Sequence, residues 1–155
     1  MTAVLQINLH HSRAATATLC QKILADDIGV VLIQEPWTVG SRVMGMSTAK
    51  GNLIYDSGSN NPRACIYVSN KIKSLKMAQM CSRDTAVTEV HLQTGDGNIR
   101  ILFAAVYLPY DSPEPPPTAE MRRIVEFGTL TRMHLIVGCD ANAHHTAWGS
   151  SNINN

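Results

Sequence analysis

The chain has 155 residues with 13 basic and 12 acidic side chains, and its formal net charge is +1. Hydrophobic residues make up 45% and charged residues 16%, which excludes an intrinsically disordered chain and suits one domain with a real core. The balanced charge excludes a general polyanion binder, so any contact with nucleic acid must come from local groups. No apolar run is long enough to cross a bilayer and the first residues lack a secretory signal, so we expect an intracellular protein without a membrane partner.

The first 35 residues predict a β-α-β unit with two parallel strands. Residues 4–9 alternate with the period of two that is typical of a strand. Ser12 is a candidate N-cap for a helix over about 13–26, and Gly29 is expected to end it. The inward face of that helix is expected to hold Ala15, Leu19, Ile23, Cys20 and Leu24. The wholly apolar run 30–33 predicts a strand that is covered on both faces.

The rest of the chain predicts further strands and one more helix. After a loop over 36–50, short strands are expected at 52–55 and 64–69, and the runs 86–93 and 99–106 predict a hairpin across Gly95-Asp96-Gly97-Asn98. Five prolines between positions 109 and 117 predict a stiff loop. Thr118 is expected to cap a helix over about 119–131, with Met121, Val125 and Ile124 facing inward. A last buried strand at 135–137 gives about seven strands and two helices in an α/β (α+β) fold.

Cysteine and histidine spacing gives little support for a zinc or redox site. The four cysteines, at positions 20, 65, 81 and 139, form no C-x-x-C pair, and we expect them to be reduced thiols. The histidines include two adjacent pairs, His10-His11 and His144-His145. Because neighbouring side chains on an extended segment point to opposite faces, neither pair is expected to ligate one metal together.

Four predicted strands end in polar side chains. Asn8 closes the first strand, Glu35 follows the second, Tyr107 closes the strand before Pro109, and Asp140 and Asn142 follow the last. Ligand sites often gather at strand ends, and an oxygen-rich set of this kind suits a hard cation such as Mg²⁺. Taken singly, each residue also has an ordinary structural explanation as a turn former, a solvated loop residue or a rim aromatic. Their joint occurrence at strand ends favours a shared site.

The sequence resembles the endonuclease/exonuclease/phosphatase family, which includes deoxyribonuclease I and the apurinic/apyrimidinic endonucleases. Within it, the chain is most similar to the apurinic-type endonuclease domain that opens the polyprotein of insect non-LTR retrotransposons. The resemblance covers nearly the whole chain. The residues that carry it are Leu5-Gln6-Ile7-Asn8-Leu9 with Ser12-Arg13-Ala14-Ala15, Leu32-Ile33-Gln34-Glu35-Pro36-Trp37, Ala64-Cys65-Ile66-Tyr67-Val68, Val106-Tyr107-Leu108-Pro109, Gly138-Cys139-Asp140-Ala141-Asn142-Ala143-His144-His145 and Trp148-Gly149-Ser150.

This resemblance implies a two-sheet sandwich flanked by helices, a deoxyribonuclease I-like four-layer fold, and a Mg²⁺-dependent DNA endonuclease with Mn²⁺ as an alternative metal. Glu35 would bind the metal with support from Asn8, and Tyr107 would contact the scissile phosphate. Asp140 would orient or deprotonate the attacking water, and Asn142 would hold the phosphate or the developing charge. The implied substrate contacts also include Arg13, His144 and His145. The resemblance further implies a reverse transcriptase domain in the same polyprotein and action in the nucleus, where a nick in DNA primes reverse transcription.

The family domain continues past the point that matches residue 155, with a Ser-Asp-His ending. We therefore expect residues 1–155 to be the N-terminal part of such a domain, with weak or no activity alone. Two alternatives stay open: a phosphomonoesterase or phospholipase of the same fold, and a non-catalytic remnant that binds DNA weakly or not at all. In the remnant, the phosphate contacts would come from Lys71, Lys73, Lys76, Arg122 and Arg123. These residues also have an ordinary explanation as a solvated surface charge cluster.

Overall fold

The computed structural model describes residues 2–95, 97–110, 112–143, 146–149 and 151. Two four-stranded sheets pack face to face, and each carries one α-helix on its outer side. In chain order the elements are β1 (Ala3–Asn8), α1 (Arg13–Ala25), β2 (Ile28–Gln34), β3 (Thr38–Val39), β4 (Arg42–Val43), β5 (Gly51–Ile54), β6 (Ala64–Ser69), β7 (Lys73–Lys76), β8 (Thr85–Thr94), β9 (Gly97–Tyr107), α2 (Ala119–Leu130) and β10 (His134–Asp140), with short 3-10 turns at Ser47–Ala49, Ala78–Met80 and Thr146–Trp148. This is the predicted four-layer α/β fold.

The first sheet has the order β1-β2-β6-β5 and contains the predicted β-α-β unit. Strands β1 and β2 are parallel, with Asn8 paired to Gln34 at their ends. The Ser12 hydroxyl accepts a hydrogen bond from the Ala15 amide at 3.1 Å, so the predicted N-cap is confirmed. The helix ends before Gly29, because Asp27 takes a left-handed backbone conformation (φ 48°) and Gly29 already lies in β2.

The buried face of α1 is rotated slightly from the predicted one. Leu19, Cys20 and Ile23 pack against the sheet as expected. Leu24 is 53% exposed, so its predicted inward position is wrong, and Thr16 is buried on that face instead. Thr16 can be buried because its hydroxyl donates to the Ser12 carbonyl at 2.8 Å, which satisfies the polar group within the helix.

The second sheet has the order β10-β9-β8-β7. The predicted hairpin is confirmed, since β8 and β9 pair antiparallel along ten residues from Thr85–Val106 to Thr94–Gly97. Strand β10 runs parallel to β9 at the sheet edge formed by the described strands, so it is only partly buried and not the fully buried strand that was predicted. On α2, Ile124 is buried as expected and Met121 is half-buried, but Val125 is 47% exposed because it points away from the sheet.

The region 36–50 is not a plain loop. It contains the small antiparallel hairpin of β3 and β4 and the 3-10 turn at Ser47–Ala49, so the described chain has ten strands where seven were expected. Thr118 caps α2 as predicted, accepting from the Met121 amide at 3.3 Å. Among the described residues, no helix is long and apolar enough to cross a membrane.

Close packing between the sheets brings the end of β10 against the end of β1. The layer between the sheets is apolar and includes Leu32, Ile66, Phe103 and Ala105. Gly138 lies where the sheets approach most tightly: a Cβ there would be 2.7 Å from the Leu32 Cδ1 and 2.9 Å from the Gln6 Cγ. Only glycine fits at this distance, and the carboxyl ends of both edge strands therefore meet.

Candidate active site

A buried carboxamide joins the two sheets just below the strand ends. Gln34, the last residue of β2, is fully buried, and its Nε2 donates to the Gly138 carbonyl at 2.9 Å. The Gln34 Oε1 accepts from the Gln6 Nε2 at 2.8 Å. The role of these glutamines could not be predicted from the sequence, because a carboxamide inside an apolar run has no recognisable partner until the sheets are assembled. These two hydrogen bonds fix the positions of β1, β2 and β10 relative to one another along the strand direction.

Asn8 and Asp140 are in direct contact above this layer. The Asn8 Nδ2 donates to the Asp140 Oδ2 at 2.5 Å. The Asn8 Oδ1 accepts from the backbone amide of His10 at 2.8 Å, so the position of the side chain is set at both ends. The second Asp140 oxygen, Oδ1, accepts from the Asn142 amide at 3.1 Å. Two donors therefore hold the Asp140 carboxylate in one orientation.

Asn142 and Tyr107 lie beside Asp140. Asn142 takes a left-handed conformation (φ 46°), which asparagine tolerates well, and its Nδ2 donates to the Leu108 carbonyl at 2.9 Å. Tyr107 is the register partner of Asp140 at the ends of β9 and β10, and the Leu108 amide donates to the Asp140 carbonyl at 2.9 Å. The two strand ends thus place a phenol and a carboxylate next to each other.

Glu35 follows β2 in a left-handed conformation (φ 47°), which costs a non-glycine residue about 1–3 kcal/mol and is typical of functional sites. Its carboxylate is 18% exposed and lies 3.3 Å from the His10 Nδ1 and 3.7 Å from the His11 Nε2. The expectation that His10 and His11 point to opposite faces is wrong. Both adopt positive φ, 47° and 54°, so the segment is not extended and both rings turn toward Glu35.

Arg63 and Asp84 form a further part of the site that the sequence analysis missed. The Arg63 guanidinium donates to both Asp84 oxygens, at 2.6 and 2.7 Å. It also lies over the Tyr107 ring, with the Arg63 Cζ 4.6 Å from the ring centroid. The Tyr107 amide donates to the Asp84 carbonyl at 2.9 Å, and the Glu35 amide donates to the Arg63 carbonyl at 2.8 Å. Arg63 therefore connects the backbone of Glu35 to the ring of Tyr107.

The structure brings five of the predicted site residues into one region: Asn8, Glu35, Tyr107, Asp140 and Asn142. Arg13 is exposed at the start of α1 and lies over the Trp37 ring, 5.5 Å from its centroid. His144 and His145 lie outside the described residues. An open cleft of about 540 Å³ is lined by Gln6, Asn8, His10, Cys139, Asp140, Ala141, Asn142 and Ala143.

The donor set at this cleft fits Mg²⁺. This ion prefers oxygen ligands, binds through one or two carboxylates, and keeps several of its waters. Glu35 and Asp140 have carboxylates, and Asn8, which contacts Asp140, has an amide oxygen. Within the described ranges, no three His, Cys, Asp or Glu side chains form a cluster that could hold a metal.

The thiols near the site are poor nucleophiles. Burial and the neighbouring charge of Asp140 raise the pKa of Cys139 above its usual range. Burial likewise raises the pKa of Cys65 and Cys81, and all four cysteines are free. Because only the thiolate is reactive, thiol chemistry is not favoured at this cleft.

Solved structures share this fold. The endonuclease domain of TRAS1, a telomere-specific non-LTR retrotransposon, superposes with a TM-score of 0.74 at 23% identity, over 99% of this chain and 64% of that one. A humanized TDP2 from D. rerio with 14 mutations matches with a TM-score of 0.59 at 12% identity, over 96% and 67% of the two chains. A mannosyl-6-phosphatase from Bacteroides thetaiotaomicron matches with a TM-score of 0.56 at 10% identity, over 94% and 66%.

These matches confirm the deoxyribonuclease I-like fold that the sequence resemblance implied. The chain spans less than two thirds of the length of the TRAS1 domain. No protein-family model matches the sequence, and no curated protein matches it.

Proposed function

We propose that this chain belongs to a Mg²⁺-dependent DNA endonuclease of a non-LTR retrotransposon, which nicks target DNA to prime reverse transcription. The observation that carries the proposal is the hydrogen bond from Asn8 to Asp140, which joins the ends of β1 and β10 beside Glu35. The likeness to the TRAS1 endonuclease domain supports the choice of substrate. In the same proposal, a reverse transcriptase domain belongs to the same polyprotein and the protein acts in the nucleus.

Glu35 and Asn8 would hold the metal. When bound, Mg²⁺, or Mn²⁺ in its place, supplies charge neutralisation for the phosphoryl oxygens and the leaving oxygen. Asp140 orients or deprotonates the attacking water, and two donors hold its carboxylate in one orientation for this role. Tyr107 and Asn142 contact the phosphate, and Arg13, His144 and His145 contact flanking DNA.

The likeness to the TRAS1 endonuclease domain favours DNA over a small phosphate ester as the substrate. The mannosyl-6-phosphatase shows that the same fold also occurs in a phosphatase. A monoester substrate is therefore the second candidate function, and a direct comparison of the two substrates distinguishes them.

A plasmid-nicking time course with Mg²⁺ tests the proposal. The experiment uses this chain and the longest natural protein that contains it, each as wild type, Asp140→Ala and Glu35→Gln. We expect the longer protein to show Mg²⁺-dependent nicking that falls by about 10²–10⁴-fold in Asp140→Ala, and this chain alone to nick DNA weakly or not at all. Glu126→Gln is the matched control for Glu35→Gln, since Glu126 is an exposed residue of α2. The proposal would be contradicted if the preparations hydrolysed a phosphate monoester and none of them nicked DNA.

A further inference from the structure

A second and smaller pocket has a volume of about 300 Å³ and is lined by His11, Thr38, Asn61, Arg63 and Arg83. The Glu35 carboxylate lies beside both His11, which lines this pocket, and His10, which lines the cleft. The Tyr107 ring lies against Arg63, another residue of the pocket.

Four separate chain segments build this pocket, and hydrogen bonds hold three of them together. The Asn61 amide donates to the Gly40 carbonyl at 2.9 Å, which ties the segment before β6 to the β3–β4 hairpin. The Arg63 amide donates to the Arg83 carbonyl at 2.6 Å, which ties it to the turn before β8. The Thr38 hydroxyl lies 3.5 Å from the Asn61 Oδ1. The pocket is thus preformed by backbone contacts.

The pocket is rich in donors, and among the described residues no carboxylate forms an ion pair with one of its two arginines. Asp84 offsets the charge of Arg63 through two hydrogen bonds. Arg83 is exposed and its Nε donates to the Asn61 carbonyl at 3.3 Å, but within the described part of the chain no carboxylate forms an ion pair with it. Arginine, hydroxyl and imidazole groups converging on one concavity are typical of a phosphate contact.

We propose that this pocket binds a second phosphate of the DNA strand, next to the phosphate that is cleaved. The inference rests on the proposed function, which places the scissile phosphate near Tyr107 and Glu35. Arg83 is the main ligand of the second phosphate, and Arg63 has two roles: it lines the pocket and it positions the Tyr107 ring. A strand held at both phosphates lies in a fixed direction across the cleft, which helps position the bond that breaks.

Titration with inorganic phosphate, followed by ¹H–¹⁵N NMR, tests the pocket without any need for catalysis. We expect the Arg83 side-chain Nε–H and the backbone amides of Asn61 and Arg63 to shift, and a short DNA duplex to shift the same signals. In Arg83→Gln the two backbone shifts disappear. In the matched control Arg132→Gln, an exposed arginine that follows α2, they persist. The inference is overturned if these signals do not shift in the wild type when phosphate is added.

DNA binding over a range of salt concentrations then connects the pocket to the strand. Loss of one phosphate contact should reduce the slope of log Kd against log salt concentration by about 0.9 in Arg83→Gln. Arg83→Lys should restore the slope, and Arg132→Gln should not change it. In nicking assays, Arg83→Gln should raise KM and leave kcat nearly unchanged.

The two proposals fail in different ways. DNA binding and nicking that are equally strong in Arg83→Gln and Arg132→Gln overturn this inference alone. Phosphate shifts at Arg83 without DNA binding by any preparation overturn both the assignment to a DNA strand and the proposed function. A fall in kcat with unchanged KM in Arg83→Gln also contradicts the inference, because a strand contact outside the reacting centre should act on binding.

Discussion

Asn8 and Asp140, separated by 132 residues, are joined by a hydrogen bond of 2.5 Å between the Asn8 Nδ2 and the Asp140 Oδ2. One residue closes the edge strand β1 of the first sheet and the other closes β10 of the second. The contact therefore depends on the packing of the whole sandwich. It also places the residue proposed to support the metal directly against the residue proposed to accept a proton.

Replacing Asn8 tests how much Asp140 depends on it. Asn8→Ala should destabilise the fold by about 1–3 kcal/mol, since it removes a hydrogen bond to a charged group, and should strongly reduce nicking. Asn8→Asp should be worse at neutral pH, because two carboxylates would face each other, and should recover stability as the pH falls and one of them is protonated. Urea unfolding at pH 7 and pH 5 measures both effects. Equal stability of Asn8→Ala and wild type would contradict the argument.

The close approach of the sheets at Gly138 provides a second prediction. Gly138→Ala should cost about 1–3 kcal/mol, because the new Cβ would be 2.7 and 2.8 Å from atoms of Leu32. Relief of that clash would move β10 away from β1, so we also expect nicking to fall. Gly95→Ala is the matched control, since nothing lies within 4 Å of a Cβ at that position. Both variants are compared by urea unfolding and by nicking rate.

The parts of the fold that could be predicted from the sequence are those with local causes. The N-caps at Ser12 and Thr118, the β-α-β unit and the β8–β9 hairpin each depend on residues that are close in the chain. The prediction of which helix residues face inward was less accurate. At 100° per residue, Leu24 and Val125 lie at the margin of an apolar stripe, and only contact with the sheet decides which margin is covered.

The site was predictable as a set of strand ends but not as a network. Asn8, Glu35, Tyr107, Asp140 and Asn142 were identified because polar residues follow apolar runs. The Gln34–Gly138 bond and the Arg63–Asp84 pair join segments far apart in the chain, so their partners depend on sheet register and sheet packing. The left-handed turn at His10-His11 contains no glycine, and so it gave no signal in the sequence.

Gln34 provides a third prediction. Gln34→Leu should destabilise the fold by about 1–3 kcal/mol, because the buried Gly138 carbonyl would lose its side-chain donor and Gln6 its acceptor. The added apolar volume cannot offset the loss, since the Gln34–Gly138 bond lies between two sheets that are already closely packed. Gln93→Leu, at an exposed position of β8, should change stability by less than about 0.5 kcal/mol. Similar unfolding midpoints for the two variants would show that the Gln34 carboxamide does not stabilise the contact between the two sheets.

The final prediction concerns a charge pair far from the site. Glu89 is 5% exposed, and hydrogen bonds from Arg100 at 2.6 and 3.0 Å hold the pKa of its carboxyl below the usual range, against the opposing effect of burial. A carboxyl with a lowered pKa in the folded state stabilises the fold above its unfolded pKa, and this contribution is lost as the pH falls through the folded value. Arg100→Gln should therefore lower the stability at pH 7 and have much less effect at pH 3.

A double-mutant cycle isolates this effect from other titrating groups. In the Glu89→Gln background the carboxylate is absent, so Arg100→Gln should cost little at either pH. The coupling free energy between the two substitutions should be favourable at pH 7 and shrink as the pH falls through the lowered pKa of Glu89. His91, whose Nε2 lies 2.7 Å from the Glu89 Oε1, is unchanged throughout the cycle, so its contribution largely cancels. A coupling that stays constant from pH 7 to pH 3 would show that the pair acts through packing and not through charge.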